Sequence, residues 1–274
     1  MPSILIVIPA RYHSTRLPGK PLMKIAGVEM VERVAAIAGH VCRNNDDCRY
    51  VVATDHERVL DFCRARDLPA LMTPENCRNG TERCWAALSG LQRRPEIIIN
   101  LQGDNPRCPP PVIQALINAF EDPRVDLCSP YVQLDWAGYE TLMKNKESTP
   151  YSGTTVLIDR EGFALAFSKA VIPAIRKVER AREKSPLLSP VRRHIGLYAY
   201  SYSALRAYMN LAEARYEPDY LEGLEQMRFL ENQMRIKMLP VEYRGGESLG
   251  GVDSPEDVAR LEEVIAGFGE FFPG

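Results

Sequence analysis

Five apolar residues run without a break, Ile4-Leu5-Ile6-Val7-Ile8, and the chain then turns polar at once. Two similar runs follow at 50–53 and 97–101. Short continuous apolar runs bounded by turn residues mark strands buried on both faces. Between them, residues 28–41, 57–66 and 80–92 carry apolar positions at helical spacing. This alternation predicts βαβ units and a mainly parallel sheet, the fold class α/β. A further helix is expected over about 110–121, with prolines tolerated in its first turn, and a strand over 125–132.

From about residue 150 the texture changes. Thr154–Asp159 and Ala164–Ser168 read as short strands, and 174–190 as a densely charged loop or short exposed helix. His194–Tyr200 alternates like one strand, which would put His194 and Tyr198 on the same face. Tyr220, Leu221, Leu224, Met227 and Phe229 predict a helix over 216–232, and Met238–Val241 a closing strand. Ser254-Pro255-Glu256-Asp257 opens a last helix, with Ser as N-cap and Pro in the first turn. No repeat, low-complexity tract or clear linker interrupts the 274 residues, so the second half reads as a lobe packed on the first.

Composition narrows the function classes. A formal net charge of −2 gives no overall basic field, so nucleic acid is not an expected partner. The apolar runs are too short to cross a bilayer. The seven cysteines include no Cys-x-x-Cys pair, and the four histidines are scattered. Free thiols in a reducing cytoplasm are therefore expected, and no metal site built on Cys or His. Cys84 falls in a helix and reads as core packing.

The chemistry gathers at the ends of the strand-like runs. Residues 9–22, Pro-Ala-Arg-Tyr-His-Ser-Thr-Arg-Leu-Pro-Gly-Lys-Pro-Leu, place Arg11, Ser14, Arg16, Gly19 and Lys20 in one tight loop after the first strand. Open α/β sheets bind ligands at that edge, and guanidinium forks with an ammonium suit a polyanion. Ser14 and Pro21 rule out a Walker A loop, and no Gly-x-Gly-x-x-Gly follows the strand. Side-chain cations would thus hold the phosphates, which suits a triphosphate that loses its terminal diphosphate. The third run ends in Gln102-Gly103-Asp104-Asn105-Pro106, where Asp104 reaches the same edge; an ordinary turn explains this segment equally well alone. Asp253, in Gly250-Gly251-Val252-Asp253-Ser254, is a second carboxylate, or simply a residue at a helix start. The two together suit Mg²⁺, which takes few protein oxygens and completes its shell with water and phosphates. Gly80-Thr81-Glu82-Arg83 starts a helix whose amides could meet a base or phosphate. Thr54-Asp55-His56 reads as a turn with Asp55 as helix cap.

These segments, taken in order, resemble the CMP-Kdo synthetases, the 3-deoxy-manno-octulosonate cytidylyltransferases. The resemblance runs through Ile-Pro-Ala-Arg-x-x-Ser-Thr-Arg-Leu-Pro-Gly-Lys-Pro-Leu, Val-Ala-Thr-Asp-His, Met-Thr with Gly-Thr-Glu-Arg, Gln-Gly-Asp-x-Pro, Arg-His-Ile-Gly-Leu-Tyr-Ala-Tyr, Leu-Glu-Gln-Met-Arg and Gly-Val-Asp-Ser-Pro-Glu-Asp, across residues 4–260. It implies a Rossmann-like nucleotidyltransferase sheet, with a CTP-binding part over about 1–132. A smaller mixed lobe for acceptor and dimerisation would follow over about 150–245, then a C-terminal helix over about 254–266. It also implies Mg²⁺, a homodimer, and conversion of CTP and a 2-keto-3-deoxy sugar acid to a CMP-sugar and diphosphate. Carried over by position, Arg11, Ser14, Arg16 and Lys20 would hold the triphosphate. Met72, Thr73, Gly80 and Arg83 would surround cytidine, and Gln102 would lie near the reacting groups. Asp104 and Asp253 would bind Mg²⁺, and His194, Tyr198, Glu225 and Gln226 would face the acceptor.

The chain departs from the family pattern at four places. Asn79 stands for Ser and Asn105 for Glu, changes that leave the CTP chemistry in place because Asp104 remains. A usual Lys aligns with Thr154 or Thr155, and a usual aromatic with Ala174, both in the region expected to meet the acceptor. Another acid, such as an amino-sugar acid or a phosphonate, is therefore a second reading. A catalytically silent nucleotide-binding protein is a third, opposed by retention of Asp104 and Asp253.

Overall fold

The computed structural model describes residues 2–13, 17–89, 91–242, 251–252 and 254–269. In chain order, β1 (Ile4–Ala10) leads to a turn of 3-10 helix at Lys20–Leu22, the small antiparallel pair β2 (Lys24–Ile25) and β3 (Val28–Glu29), and α1 (Met30–Arg43). Then come β4 (Cys48–Thr54), α2 (Glu57–Ala65), β5 (Ala70–Met72), α3 (Gly80–Ala86), β6 (Ile97–Asn100) and α4 (Pro110–Asn118). They are followed by β7 (Leu127–Asp135), α5 (Trp136–Ser148), β8 (Thr155–Ile158), β9 (Ala164–Ser168), α6 (Val178–Lys184) and β10 (Leu188–His194). The remainder is β11 (Tyr198–Ser201), α7 (Tyr202–Tyr208), α8 (Met227–Glu231), β12 (Lys237–Pro240) and α9 (Pro255–Phe268).

The chain divides into two compact units. The first comprises Met1–Ile117, Leu197–Arg206 and Leu249–Gly274. Its strands lie in the order β5-β4-β1-β6-β11, with the first four parallel and β11 antiparallel to β6. The apolar runs are the reason: Ile6, Val7, Ile8, Val52, Ile98 and Ile99 are all fully buried. On α1, Met30, Val34, Ile37, Ala38 and Val41 recur at three- and four-residue steps and are all buried, one apolar stripe of an amphipathic helix. Because β1 and β6 are parallel neighbours, Ala10 and Asn100 end at one edge, and the loops after them share it.

The second unit comprises Asn118–Gly196 and Ala207–Ser248. In it β12 runs parallel to β7, and β10, β8 and β9 follow as antiparallel neighbours. Leu134, Leu142 and Val191 form part of its core. Among the described residues of the whole chain, no helix is long and apolar enough to cross a membrane.

The structure corrects the sequence reading in several places. The helix expected over 216–232 shrinks to α8, because Pro218 and Gly223 build turns: the amides of Leu221 and Gly223 donate to the Pro218 carbonyl, and Gly223 has φ of 61°. Glu225 and Gln226 therefore precede a helix and do not lie on one. The single strand expected over His194–Tyr200 is two strands, interrupted at 195–197, where the Ile195 amide donates to the Pro130 carbonyl. Helix α3 stops at Ala86, short of 92. Helix α5 had no sustained apolar stripe to announce it; only Trp136 and Leu142 are buried, and Asp135 caps it by accepting from the Gly138 amide.

Candidate active site

A cavity of about 270 Å³ opens at the shared edge of β1 and β6, lined by Ala10, Arg11, Lys20, Arg78, Asn79, Gly80, Arg83, Gln102, Gly103 and Asp104 among others. Arg11, Lys20, Arg78 and Arg83 stand against Asp104 in the lining and Asp55 and Glu82 behind it, so the wall is net positive although the chain as a whole is slightly acidic.

Lys20 arrives on the 3-10 turn, with Gly19 in the left-handed region before it (φ 71°). Its Nζ donates to Asp104 Oδ2 at 2.8 Å, with the side chains 13% and 34% exposed. Both groups are thus within reach of solvent or ligand. Asp104 follows β6 through Gly103, where a Cβ would lie 2.4 Å from the Pro9 carbonyl oxygen; only glycine allows that approach. The Val252 amide donates to the Asp104 carbonyl at 2.9 Å, and a Cβ on Gly251 would meet the Asp104 carboxylate at 2.9 Å. The segment that leads to Asp253 is therefore fastened to Asp104. Leu17, Ile25, Met30, Val252 and Ile265 share one apolar cluster, which holds the far end of the basic loop beside that segment. Ser14, Arg16 and Asp253 lie outside the described residues. Ser254 caps α9 in a capping box with Asp257.

Opposite lies the start of α3. Asn79 caps it by accepting from the Glu82 amide at 2.9 Å, a cap of the same kind that Ser supplies. Glu82 in turn accepts from the Arg78 amide and from Arg78 Nε at 2.6 Å. Arg83 is buried to 2% and donates to Asp55 Oδ2 at 2.9 Å and to Thr73 Oγ1 at 2.6 Å. Asp55 is not the helix cap expected of it: His56 is, its Nδ1 accepting from the Arg58 amide, which leaves Asp55 to face Arg83. Met72, at the end of β5, is 43% exposed, whereas Thr73 is buried. A Cβ on Gly80 would lie 3.0 Å from both Asn100 Nδ2 and Gln102 Nε2. Burial pushes the Cys77 thiol up, so the cavity offers no thiolate there.

The residues expected to meet an acceptor divide between the units. Tyr198 is in the first, buried in β11 directly across from Asn100. His194, Glu225 and Gln226 are in the second. His194 is buried, its Nε2 2.8 Å from Ser129 Oγ and its ring 4.9 Å from that of Phe167. Burial, with the charge of Lys169 adding to it, pushes its pKa down to about 3, so the ring is neutral. Gln226 is buried and Glu225 partly so. Of the departures, Asn105 is buried in the turn after Gln102, to whose carbonyl its amide donates. The Thr155 hydroxyl donates to the Ala170 carbonyl and accepts from the Ile172 amide, a structural tie at one of the two positions, Thr154 or Thr155, where a Lys was expected.

A parallel sheet with a cationic, carboxylate-bearing cleft beyond its strand ends defines the class: a nucleotidyltransferase fold. The family model described as cytidylyltransferase matches residues 5–236. A 3-deoxy-manno-octulosonate cytidylyltransferase of Maricaulis maris is 41% identical over 98% of this chain and 99% of its own length. One from Porphyromonas gingivalis is 36% identical over 96% and 95%. A solved CMP:2-keto-3-deoxy-manno-octonic acid synthetase complexed with CTP superposes with a TM-score of 0.80 at 30% identity, covering 97% of this chain and 99% of that one. The chain belongs to the cytidylyltransferases, within the 3-deoxy-manno-octulosonate (CMP-Kdo synthetase) family, and is an enzyme of that class.

Proposed function

We propose that the protein transfers CMP from CTP to an acidic acceptor, Kdo or a close 2-keto-3-deoxy sugar acid, with Mg²⁺ and release of diphosphate. The observation that carries this reading is the Lys20–Asp104 pair in a cation-lined cavity at the strand ends, in a chain so similar to enzymes named for that acceptor. Arg11 and Lys20, with Ser14 and Arg16, take the triphosphate. Met72, Thr73, Gly80 and Arg83 shape the cytidine end. Because Thr73 and Arg83 bond each other, their part is to fix the wall more than to grip the base. Gln102 lies where base and phosphate ends meet.

The acceptor hydroxyl attacks the α-phosphorus, a new O–P bond forms, and the bond to the β-phosphate oxygen breaks as diphosphate leaves. Positioning and charge carry such a reaction, with little covalent work for the protein. Asp104 fits a hard divalent cation: a partly exposed carboxylate beside Lys20 at the strand ends, with Gly251 and Val252 packed against it. Bound there with Asp253, Mg²⁺ would offset phosphate charge. His194, Tyr198, Glu225 and Gln226 are the residues proposed for the acceptor, in a homodimer.

The test is diphosphate release with CTP and Mg²⁺ over a panel of Kdo, 8-amino-Kdo, sialic acid and small phosphonates. Turnover with Kdo or 8-amino-Kdo is expected. Turnover of a phosphonate with no keto-sugar acid would replace the acceptor, and equal use of ATP and CTP would overturn the nucleotide.

A further inference from the structure

Asp55, on the turn after β4, has a side chain only 1% exposed and paired with Arg83, which lines the cavity. Its two carboxylate oxygens serve different parts of the site. Oδ1 accepts from the Tyr12 amide at 3.1 Å, on the basic loop; Oδ2 accepts from Arg83 Nη2 at 2.9 Å, on α3. The bonds continue into a closed ring. Arg83 Nη1 donates to Thr73 Oγ1, Thr73 Oγ1 donates to the Thr54 carbonyl at 3.0 Å, and Thr54 Oγ1 donates to the Ala10 carbonyl at 2.8 Å. The ring leaves the loop at Tyr12 and returns to it at Ala10, so the backbone on both sides of Arg11 is pinned to the same network. The Tyr12 carbonyl accepts from the Gly19 amide at 3.1 Å, which extends that hold to the residue before Lys20. Tyr12 is fixed further by its ring, stacked on His56 at 4.0 Å.

We propose that Asp55 is a positioning residue that couples the base end of the site to the phosphate loop, by holding Arg83 with one oxygen and the Tyr12 amide with the other. The inference rests on the functional reading above, in which the loop takes the triphosphate and Arg83 and Thr73 bound the cytidine end. A buried ion pair adds little net stability compared with apolar packing, so the pair is better explained by what it holds in place. Fully buried charges with hydrogen bonds at both ends have few alternative arrangements, which is the property a coupling element needs.

The experiment is a double-mutant cycle read by calorimetric binding of magnesium tripolyphosphate, a probe of the phosphate half that carries no base. Arg83 lines the same cavity and also reaches Ala10 through Thr73 and Thr54, so its loss alone weakens a polyanion by charge as well; the coupling through Asp55 is read from the non-additivity of the cycle. Arg83→Gln and Asp55→Asn are each expected to weaken tripolyphosphate about tenfold. The double variant should be no weaker than either single one, and Asp55→Glu should recover part of the loss. Strictly additive losses, or unchanged affinity in both folded single variants, would overturn the coupling. If Asp55→Asn does not fold, Arg83→Gln alone still tests the proposal, because it leaves the Asp55 contact to Tyr12 in place: unchanged tripolyphosphate affinity then overturns it. Wild-type protein that binds no tripolyphosphate overturns the functional reading and this inference with it. Wild-type binding with inert variants overturns the inference alone.

Discussion

Lys20 Nζ and Asp104 Oδ2 stand 2.8 Å apart although 84 residues separate them in sequence. They meet because β1 and β6 are parallel neighbours and each strand ends in a loop that turns into the same cleft. A pair exposed to this degree contributes on the order of 0–1 kcal/mol to stability. Under the proposed function, its oppositely charged members would part around a phosphate and a cation.

Lys20→Ala should therefore leave the melting temperature almost unchanged while costing more than about 1.5 kcal/mol in transition-state stabilisation, the scale of a charged hydrogen bond. Asp104→Asn should remove most turnover with the fold intact. Steady-state kinetics on CTP beside thermal melts checks both. Near-normal rates in Asp104→Asn and Asp253→Asn alike would end the two-carboxylate assignment.

How far the sequence carried this site depends on the kind of signal. The strands β1, β4 and β6 were legible because Ile4–Ile8, Val52–Ala53 and Ile97–Ile99 are buried and stand in short apolar runs. Ser254 was legible as a cap because its bond partners lie three residues away. Asp55 was misread for the opposite reason. The partner that claims it, Arg83, is 28 residues distant, and no local pattern reveals that His56 will take over the cap. The 216–232 segment misled because its apolar residues keep helical spacing while Pro218 and Gly223 break the backbone; Tyr216, Tyr220 and Leu221 are largely exposed. His194 and Tyr198 looked like neighbours on one strand because the interruption at 195–197 depends on a bond to Pro130, 65 residues earlier.

Gly103 gives a steric prediction. A methyl there would press to 2.4 Å on the carbonyl of Pro9, a strand backbone atom that cannot swing aside as a side chain does. Gly103→Ala should destabilise by about 1–3 kcal/mol, as overpacking does, and lower turnover because Asp104 is the next residue. Chemical denaturation and kinetics on the same preparation would show both losses. Wild-type values for stability would mean that β1 and β6 can separate locally at no cost.

Asn100 makes a prediction of the reverse sign. Its side chain is fully buried after Ile97-Ile98-Ile99, and among the described residues neither Nδ2 nor Oδ1 has a hydrogen-bond partner. Each such group costs about 1–3 kcal/mol. Asn100→Leu, with the same branching at Cγ, should raise the melting temperature. It should also lower kcat/KM for CTP about tenfold, ~1.4 kcal/mol, because the amide packs beneath Gly80, which lines the cavity with Gln102. A more stable variant of unchanged activity would reduce Asn100 to an incidental defect of the core.

His194 supplies the pH dependence. Burial holds its folded-state pKa at about 3, whereas in the unfolded chain it is near the ordinary 6.5. Above pH 6.5 both states carry a neutral ring and this group gives no slope. As the pH falls from 6.5 toward 3, the unfolded chain binds a proton that the folded one refuses, so stability drops by up to about 1.4 kcal/mol per pH unit. The neutral ring keeps its 2.8 Å bond to Ser129 Oγ through that range. Denaturant melts between pH 4 and 8 should show the slope in the wild-type protein, and His194→Gln should flatten it between about pH 5.5 and 6.5, above most of the carboxylate titration. An equal slope in both proteins over that window would mean that His194 takes up its proton in the folded state as readily as in the unfolded one.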